Sequence, residues 1–577
     1  MRRSGSHPKS SRPRFDDRPR NGTGSELVEL LHRIDGSSYG AYKRALGSWN
    51  FGAYRVDFTR VQADPYAPPS SIRVRYRRDQ VDLSETDLHS QDRQLATADF
   101  LARRAGDLIR QHAPTLSIAP CGPEILERSS ARVGSEDFEL RIAVRLPARG
   151  RTVLGRQAAL IFTEQLPRVL RELFNFSNSA HREHWLAHVH ALADHRALQQ
   201  LLVERDLVGF IADGSQLARA SGVSAQPLRS GVPFAAPDSR RQQVELPHAG
   251  VVSGLAIPAG ITVLVGGGFH GKSTVLTALE QGVYPHVPGD GRELVAALPS
   301  AMKVRAADGR PITRVDVSAF INHLPTGSST TRFSTQNASG STSQAASIIE
   351  AIQAGSQLLL FDEDTSATNL MIRDARMRTL VQADQEPITP LVDRIRSLPS
   401  ERGVSVIMVT GGSADYLDAA DLVLQMDAYR CLDATERAGE VMAAFPRQRT
   451  DLPDFPTPLP RLVVRVRPGG ERSRTKTQGV DRIELDRQGV DVTDVEQIVD
   501  PGQTEAIAWI IRGVTEQLAD GHRTLEQLVD EVLDRVEDRG LDALVDFGAR
   551  PFPPFLARPR KVDICAGINR HRSLKIG

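Results

Sequence analysis

The chain has 577 residues, too many for one hydrophobic core, and a typical domain size of about 150 residues predicts about three or four domains. Its 72 basic and 71 acidic residues nearly cancel, which excludes a global field that would draw the chain to nucleic acid or to a membrane. The three cysteines lack C-x-x-C spacing, which argues against a zinc ribbon, a redox pair or a disulfide framework. No apolar run reaches the ~18 residues of a membrane-spanning helix. We therefore expect a soluble, cytoplasmic, multidomain protein without direct membrane insertion.

The N-terminal part begins with a polar segment and continues with a patterned one. Residues 1–23 are rich in Arg, Ser, Pro and Gly and poor in aliphatic side chains. This composition predicts a disordered basic tail, which either contacts phosphates or only keeps the protein soluble. Residues 24–203 alternate helical and strand periodicities, so we predict an N-terminal mixed α/β domain.

Two patterns in this domain have both a functional and a structural interpretation. The segment Arg73–Arg78 places arginines around Tyr76 on one predicted strand. Such a face binds single-stranded nucleic acid in some proteins, but a solvated strand face is the more common cause. His181, His184 and His188 lie near one helix face without the order of known zinc-binding helices, so ordinary surface histidines are expected.

The glycine-rich stretch GGGFHGKST follows the apolar run Ile261–Val265 and precedes a helical pattern. Its spacing fits G-x-x-x-x-G-K-[ST], a loop whose backbone N–H groups and following helix N-terminus surround the phosphates of a nucleotide. We expect Lys272 to reach the terminal phosphates as a catalytic residue and the Ser273 hydroxyl to ligate Mg²⁺. The predicted nucleotide-binding residues of this Walker A loop are Gly266, Gly267, Gly268, Phe269, His270, Gly271, Lys272, Ser273 and Thr274.

A second apolar run, SQLLLF, ends in adjacent carboxylates. A carboxylate at the end of a buried strand holds the water shell of Mg²⁺ in P-loop enzymes, so we predict that Asp362 lies on the metal side. Glu363, next to it, is the candidate catalytic base. Upstream, the segment Ser339–Ser341 opens an apolar helix, where N–H groups and hydroxyls can face a phosphate.

These motifs resemble those of an ABC-type ATPase head. ASGSTSQ, with Ser339, Gly340 and Ser341, resembles the LSGGQ signature, LLLFDE resembles the Walker B strand, and SATN resembles the D-loop. Over longer stretches, GGGFHGKST, GVYPHVPGDGRE, FSTQNASGSTSQAA, DEDTSATNLMIRD and VTGGSADYLDAAD resemble the family of predicted ATPases of the ABC class. The resemblance extends to IDGSSYGAYK and to INRHRSLK, so it covers nearly all of the chain after the basic tail.

The resemblance implies an ABC-class ATPase domain at residues 204–447, with ATP and Mg²⁺ as ligands. It also implies a composite site, in which Lys272 and Glu363 of one copy face Ser339–Ser341 of a second copy. Since the chain carries one such set of motifs, we expect an ATP-dependent homodimer.

Two departures from the general ABC pattern concern turnover. Gly411 stands where ABC heads carry the switch histidine, and Ser318 or Asn322 stands where the Q-loop glutamine is expected. Both departures affect hydrolysis more than binding, so we expect a slow ATPase.

The C-terminal part consists of a predicted Pro-rich linker at residues 448–458 and a predicted smaller α+β domain at residues 459–577. Basic residues cluster near both ends of that domain, where they either bind a phosphate backbone or form a solvated face balanced by acidic residues. The predicted nucleic-acid contacts are Arg465, Arg467, Arg472, Arg474, Lys476, Arg558, Arg560, Lys561, Arg570, Arg572 and Lys575.

The sequence therefore predicts an α/β protein whose P-loop NTPase head of the ABC type is flanked by a mixed α/β N-terminal domain and a smaller α+β C-terminal domain. Its expected function is that of a soluble ABC-class ATPase coupled to RNA or single-stranded DNA. The alternatives are an energy-coupling subunit that acts on a protein or membrane partner, and a P-loop kinase of small molecules.

Overall fold

The computed structural model describes residues 20–381, 385–447, 452–467, 474–548 and 555–577. The described residues form two compact units. Unit 1 takes its residues from 1–84, 101–120 and 130–178, and unit 2 takes its residues from 85–100, 121–129 and 179–577. Both units mix helices with strands, so the predicted α/β class is confirmed.

Unit 1 is built on a mostly antiparallel sheet. Its strands are β1 (Arg20–Thr23), β2 (Gly47–Asn50), β3 (Tyr54–Arg60), β4 (Ser70–Arg77), β5 (Leu116–Ser117), β6 (Ala131–Val133), β7 (Asp137–Val144), β8 (Ala148–Arg149) and β9 (Thr152–Val153), and the helices of this part of the chain are α1 (Gly24–Arg33), α2 (Gln91–His112), α3 (Gly155–Leu160) and α4 (Leu166–Leu173). The sheet order is β1-β2-β3-β4-β7-β5, with β6 paired to β7. Period-2 alternation directs Val56 and Val74, which pair across β3 and β4, into the core.

The segment Arg20–Thr23, which we predicted as the end of the disordered tail, instead forms β1. It pairs in parallel with β2, so its backbone groups are satisfied by the sheet. Thr23 then caps α1 in a capping box with Glu26, whose amide donates to the Thr23 hydroxyl at 3.3 Å. The rest of the predicted tail lies outside the described residues.

Unit 2 contains a parallel sheet that carries the nucleotide-binding motifs. Its elements up to residue 444 are α5 (Ser179–Glu204), β10 (Leu207–Ala212), β11 (Arg241–Leu246), β12 (Gly250–Pro258), β13 (Ile261–Val265), α6 (Lys272–Gln281), β14 (Val295–Ala297), β15 (Met302–Lys303), β16 (Ile312–Val315), β17 (Phe333–Thr335), α7 (Gly340–Gln353), β18 (Leu358–Asp362), α8 (Thr368–Met371), α9 (Ala375–Leu380), α10 (Leu391–Arg394), α11 (Ser397–Arg402), β19 (Ser405–Val409), β20 (Leu422–Asp427), β21 (Arg430–Asp433) and α12 (Thr435–Ala444). The main sheet has the order β15-β18-β19-β13-β20-β21, and only the β20–β21 pair among these strands is antiparallel. A second, antiparallel sheet has the order β11-β12-β10-β14. Strands β18 and β19 are buried throughout, which explains their continuous apolar sequences.

The first domain boundary differs from the prediction that residues 24–203 form one domain. Helix α5 belongs to unit 2, where Leu198 and Leu202 are buried in its core. His195 also contacts the carbonyl of Gly282 just after α6, at 3.1 Å. The periodicity of α5 was correctly read as helical, but its core partners come from later in the chain and are invisible to periodicity.

The C-terminal part belongs to the same compact unit 2 as the P-loop region, and the predicted domain at residues 459–577 stays a prediction. Its elements are β22 (Val463–Val464), β23 (Thr475–Gln478), β24 (Arg482–Leu485), β25 (Gln488–Asp491), α13 (Pro501–Arg512), α14 (Leu525–Arg539), α15 (Lys561–Asn569) and β26 (Lys575–Ile576). Residues of α13 and α15 share one core with α7. Gln497 adds a polar connection, because its amide nitrogen donates to Glu280 O at 2.9 Å and its oxygen accepts from Lys303 N at 3.0 Å.

The predicted linker at residues 448–458 is partly described, from residue 452 onward. Phe455 is buried and meets Phe320 edge to face, with ring centroids 5.9 Å apart. This part of the predicted linker therefore packs on the ATPase region, and residues 448–451 lie outside the described residues.

Candidate active site

The Walker A loop leaves the carboxyl end of β13. Gly266 has a φ of 140°, and a Cβ there would lie 2.3 Å from Met426 O. Gly271 has a φ of 94°, so both positions favour glycine. Helix α6 begins directly afterwards and directs its N-terminus at the loop. Lys272 Nζ donates to the carbonyls of Gly266 (2.7 Å) and Gly267 (2.9 Å), which holds the ammonium over the loop.

Asp362 ends β18 and is only 6% exposed. Its Oδ1 accepts a hydrogen bond from Asp364 N at 3.1 Å. Asp362 and Leu264 are both aligned with Val409 of the intervening β19, so the Walker A and Walker B segments meet at one edge of the sheet. Ser273, in the first turn of α6, and Asp362 supply a hydroxyl and a carboxylate, the oxygen ligands that Mg²⁺ prefers.

The loop after β19 connects the two predicted catalytic side chains. Glu363 Oε2 accepts hydrogen bonds from Thr410 Oγ1 (2.8 Å), Gly411 N (2.8 Å) and Gly412 N (3.0 Å). A Cβ on Gly412 would lie 2.7 Å from Glu363 Oε1, and a Cβ on Gly411 would lie 3.5 Å from Lys272 Nζ. A side chain at Gly412 would therefore displace the Glu363 carboxylate, whereas one at Gly411 would make an ordinary contact with Lys272.

The environment of Glu363 favours its ionised form. Burial raises the pKa of Glu363, but the hydrogen bonds from Gly412, Gly411 and Thr410 and the charge of Lys272 stabilise the carboxylate more. The pKa of Glu363 therefore lies below its usual value. The sequence predicted Glu363 and marked the glycines after β19, but it did not predict that Thr410 and Gly412 donate to Glu363.

The segment Ser339–Ser341 caps α7. The Ser339 hydroxyl accepts from Thr342 N at 3.4 Å, and a Cβ on Gly340 would lie 3.4 Å from Asp308 Oδ1. Within the described ranges, the hydrogen bonds of this segment stay inside the cap and the first turn of α7. Its predicted role in a composite site with a second copy therefore stays a prediction.

Gln344 connects α7 to the D-loop and was missed by the sequence reasoning. Its amide nitrogen donates to Ser366 Oγ at 3.0 Å, and its oxygen accepts from Ala367 N at 2.8 Å. Since Gln344 is buried, both hydrogen bonds satisfy an amide that would otherwise destabilise the core. The signature segment and the D-loop are thus held in one fixed arrangement.

The middle of the Walker A loop is exposed. Phe269 is 98% exposed and has a φ of 64°, and Gly268 before it is exposed as well. His270 Nδ1 accepts a hydrogen bond from Ala428 N at 3.1 Å, which connects the loop to the turn between β20 and β21. The loop therefore has a fixed base and a projecting aromatic tip.

The residues predicted to replace the Q-loop glutamine form local contacts. Asn322 Nδ2 donates to Ser318 O at 2.6 Å, and Ser318 Oγ donates to Asp316 Oδ1 at 2.6 Å. Their assignment to the Q-loop stays a prediction.

Most of the predicted basic cluster near the C-terminus is neutralised within the chain. The ion pairs are Arg558 with Glu127 and Glu537, Arg560 with Asp563, Lys561 with Asp530, and Arg570 with Asp494. Arg572 instead donates to the carbonyls of Gln336 and Gly309, and Lys575 is an exposed residue of β26. These contacts favour a structural role for the cluster, because paired charges attract a phosphate backbone weakly.

The predicted basic cluster around β23 is more exposed to solvent than the cluster near the C-terminus. Arg465 donates to the carbonyls of Ala519 and Gln517, but its side chain is exposed. Arg467, Arg474 and Lys476 are exposed as well, and Arg472 lies outside the described residues.

The arginine-rich strand β4 receives a structural explanation. Arg73 and Arg75 pair with Glu139 at 3.1 and 3.3 Å, and Tyr76 stacks on Phe174 with ring centroids 4.2 Å apart. Arg73 and Arg75 are therefore balanced by one carboxylate, and the ring of Tyr76 is engaged in packing.

Within the described ranges, His188 is buried, although surface positions were expected for the three histidines on this face of α5. His188 Nε2 lies 3.0 Å from Asp99 Oδ2, which gives this buried imidazole a structural partner. Over the same ranges, no group of three or more His, Cys, Asp or Glu side chains is arranged to hold a metal ion. None of the described helices has the length and apolar character needed to cross a membrane.

Known families match three successive parts of the chain. Residues 25–177 match the N-terminal domain of ATPases of the ABC class, residues 181–458 match the P-loop domain of ABC ATPases, and residues 474–577 match the MRB1590 C-terminal domain. The uncharacterized protein MJ1628 of Methanocaldococcus jannaschii is 30% identical over 237 residues, which is 40% of this chain and 52% of that protein. The match thus spans about half of the relative's length. The solved structure of cbiO1 from Clostridium perfringens, part of the ABC transporter complex cbiONQ, covers 41% of this chain and 91% of its own at 12% identity, but its TM-score of 0.24 supports no functional conclusion.

The P-loop, the aligned Walker B carboxylates and the three matched domains agree with one another in position and order. The chain therefore belongs to the family of ATPases of the ABC class.

Proposed function

We propose that this chain hydrolyses ATP slowly, with Mg²⁺, at a composite site formed by two copies, and that hydrolysis is coupled to RNA or single-stranded DNA. The observation that carries the hydrolytic part is the position of Glu363. Its carboxylate is held by Thr410, Gly411 and Gly412 beside the Walker A lysine, Lys272.

Each residue has a defined role in this proposal. Lys272 neutralises charge on the terminal phosphates, and Glu363 accepts a proton from the attacking water as its oxygen bonds to the γ-phosphorus and the bond to ADP breaks. Ser273 and Asp362 would hold Mg²⁺, which supplies further charge neutralisation when bound. The N-terminus of α6 and the amides of the loop orient the phosphates.

Slow turnover follows from the same contacts. The lowered pKa of Glu363 makes its carboxylate a weaker proton acceptor. Gly411 stands where the resemblance places the switch histidine, and without an imidazole there its amide donates to Glu363.

Hydrolysis is tested by comparing the wild-type chain with two variants. We expect Glu363→Gln to bind ATP normally and to lose about 100-fold or more in kcat, because a general base contributes about 10²–10⁴-fold. Lys272→Ala should lose nucleotide binding. A Glu363→Gln variant that keeps the wild-type rate, or transfer of the labelled phosphate to a metabolite instead of water, would contradict the proposal.

The composite site is tested by complementation between two inactive variants. Lys272→Ala disables the P-loop. Gly340→Glu places a negative charge at the first residue of α7. A negative charge at a helix N-terminus stabilises the helix through its dipole, but it would repel a phosphate. A mixed dimer contains one site with both an intact P-loop and an intact signature segment. We expect the mixture to regain activity that neither variant shows alone, whereas two independent monomers would regain none.

Nucleic-acid coupling rests on the exposed residues Arg467, Arg474 and Lys476, which are close in sequence around β23. We expect RNA or single-stranded DNA to stimulate hydrolysis at low salt and the effect to fade as salt rises. Replacing all three residues by Ala should remove the stimulation and leave the basal rate unchanged. The matched control is Arg558→Ala, since Arg558 is paired with Glu127 and Glu537. Hydrolysis indifferent to both polymers would favour a protein partner.

A further inference from the structure

The turn between β20 and β21 has an unusual sequence for its conformation. Asp427 pairs with Arg430, so Ala428 and Tyr429 form a two-residue hairpin loop. Their φ angles are 44° and 68°, as in a type I′ turn, where Asn-Gly is strongly preferred. An alanine and a tyrosine in these positions are strained. Strain of this kind tends to occur where a side chain must be held in a particular place for function.

The turn is attached to the Walker A loop. Ala428 N donates to His270 Nδ1 at 3.1 Å. A Cβ added to Gly271 would lie 3.2 Å from Tyr429 Cδ1, so the tyrosine ring lies against the glycine that precedes α6. Tyr429 as a whole nevertheless stays 55% exposed. Tyr429 thus presents an open aromatic surface beside the loop that receives the phosphates.

We propose that the ring of Tyr429 is the surface on which the base of the bound nucleotide stacks. This inference rests on the proposed function, since it requires a nucleotide in the Walker A loop. Stacking uses the aromatic face of the base and not its hydrogen-bonding edge, so Tyr429 contributes affinity for purine nucleotides without choosing between them. Tyr429 lies outside the Walker A loop. Among the described residues of the loop itself, Phe269 is the exposed aromatic residue, and it projects from the tip.

The test compares ATP with inorganic tripolyphosphate, which has the phosphates but no base. In Tyr429→Gly the aromatic surface is lost while the turn gains a residue suited to a positive φ, so the fold is not compromised. We expect this variant to bind ATP about tenfold more weakly or worse, as for removal of a base-stacking side chain, and to bind tripolyphosphate as the wild type does. Tyr429→Phe should bind both ligands within about twofold of the wild type, because stacking needs only the ring.

The outcomes separate this inference from the proposed function. An unchanged ATP affinity in Tyr429→Gly, an equal loss for both ligands, or a base-dependent loss in Phe269→Ala instead would each overturn the assignment to Tyr429. In those cases Lys272→Ala would still abolish binding of both ligands, and the proposed function would stand. If the wild-type chain binds neither ligand, both proposals fall.

Discussion

Thr410 Oγ1 donates a hydrogen bond of 2.8 Å to Glu363 Oε2. The two residues directly follow β19 and β18, neighbouring parallel strands in which Asp362 is aligned with Val409. A hydroxyl and two backbone amides therefore fix the candidate base from the adjacent strand end. The site thereby keeps a carboxylate ready in its ionised form although the loop has no imidazole.

Thr410→Val should shift the pH dependence of hydrolysis. Valine keeps the shape of threonine but removes one donor to the charged form of Glu363, so the pKa of Glu363 should rise. We expect the acidic limb of the kcat/KM profile to move up by about one pH unit, the equivalent of one hydrogen bond to a charged group. The measurement is steady-state ATP hydrolysis across pH.

Thr365→Val is the control for this substitution. The Thr365 hydroxyl lies near the same strand end but donates to Asp362 O at 3.3 Å and not to Glu363. Its profile should match that of the wild type. If the acidic limb of the kcat/KM profile does not shift in Thr410→Val, the hydrogen bond from Thr410 does not control the protonation of Glu363.

Arg572→Ala should impair the signature segment without affecting nucleotide binding to the P-loop. Arg572 donates to Gly309 O at 3.0 Å and to Gln336 O, and Gly309 N in turn donates to Ala338 O at 2.8 Å, just before α7. Losing two charge-assisted hydrogen bonds loosens this loop, so we expect kcat to fall by about five- to tenfold with an unchanged Kd for ATP.

The assay is run without nucleic acid, which separates this positioning role from the predicted contact with a polymer. Arg572→Lys should not restore activity, because an ammonium cannot reproduce the two-pronged contact of a guanidinium. Lys575→Ala serves as a control at an exposed neighbour. Equal rates in wild type and Arg572→Ala would leave Arg572 without this role.

Arg128→Ala should strongly destabilise unit 2. Arg128 is buried between Asp99 and Asp500, and its Nε lies 2.8 Å from Asp500 Oδ2. Removing it takes the guanidinium charge away from two buried carboxylates, which costs about 3–5 kcal/mol in free energy of unfolding. The control Arg539→Ala breaks an exposed pair with Asp546 and should cost at most about 1 kcal/mol. Chemical denaturation measures both, and equal effects would contradict the buried ion-pair assignment.

Local motifs were predictable from the sequence, and contacts between distant segments were not. The strand before Gly266, the helix from Lys272 and the buried run ending at Asp362 follow from short patterns that specify their own conformation. Thr410 escaped prediction because its partner is defined by the order of strands in the sheet. The ion pair of Arg558 was not predictable for the same reason, since Glu127 lies far from it in the sequence.

His195 should make the stability of unit 2 depend on pH. The pKa of His195 is lowered to about 3, because burial lowers it and the nearby charges of His286 and Arg196 lower it further. Hydrogen bonds to backbone groups raise the pKa but do not compensate for burial. In the unfolded chain the pKa returns to about 6.5, so below that pH the unfolded state binds one more proton than the folded state. The free energy of unfolding should therefore decrease on acidification, by up to about 1.4 kcal/mol per pH unit, from about pH 6.5 towards pH 3.

The contribution of His195 is isolated by comparison with His195→Gln, whose amide can still donate to Gly282 O but does not titrate. Urea denaturation at pH 7.5 and at pH 5.5 gives the free energy of unfolding of both proteins. Between pH 7.5 and pH 5.5, we expect the wild type to lose about 1–1.5 kcal/mol more free energy of unfolding than the variant. His522→Gln, at an exposed histidine, should leave the pH dependence unchanged. If His195→Gln keeps the full pH dependence of the wild type, the imidazole is not held neutral in the fold and another group accounts for the acid sensitivity.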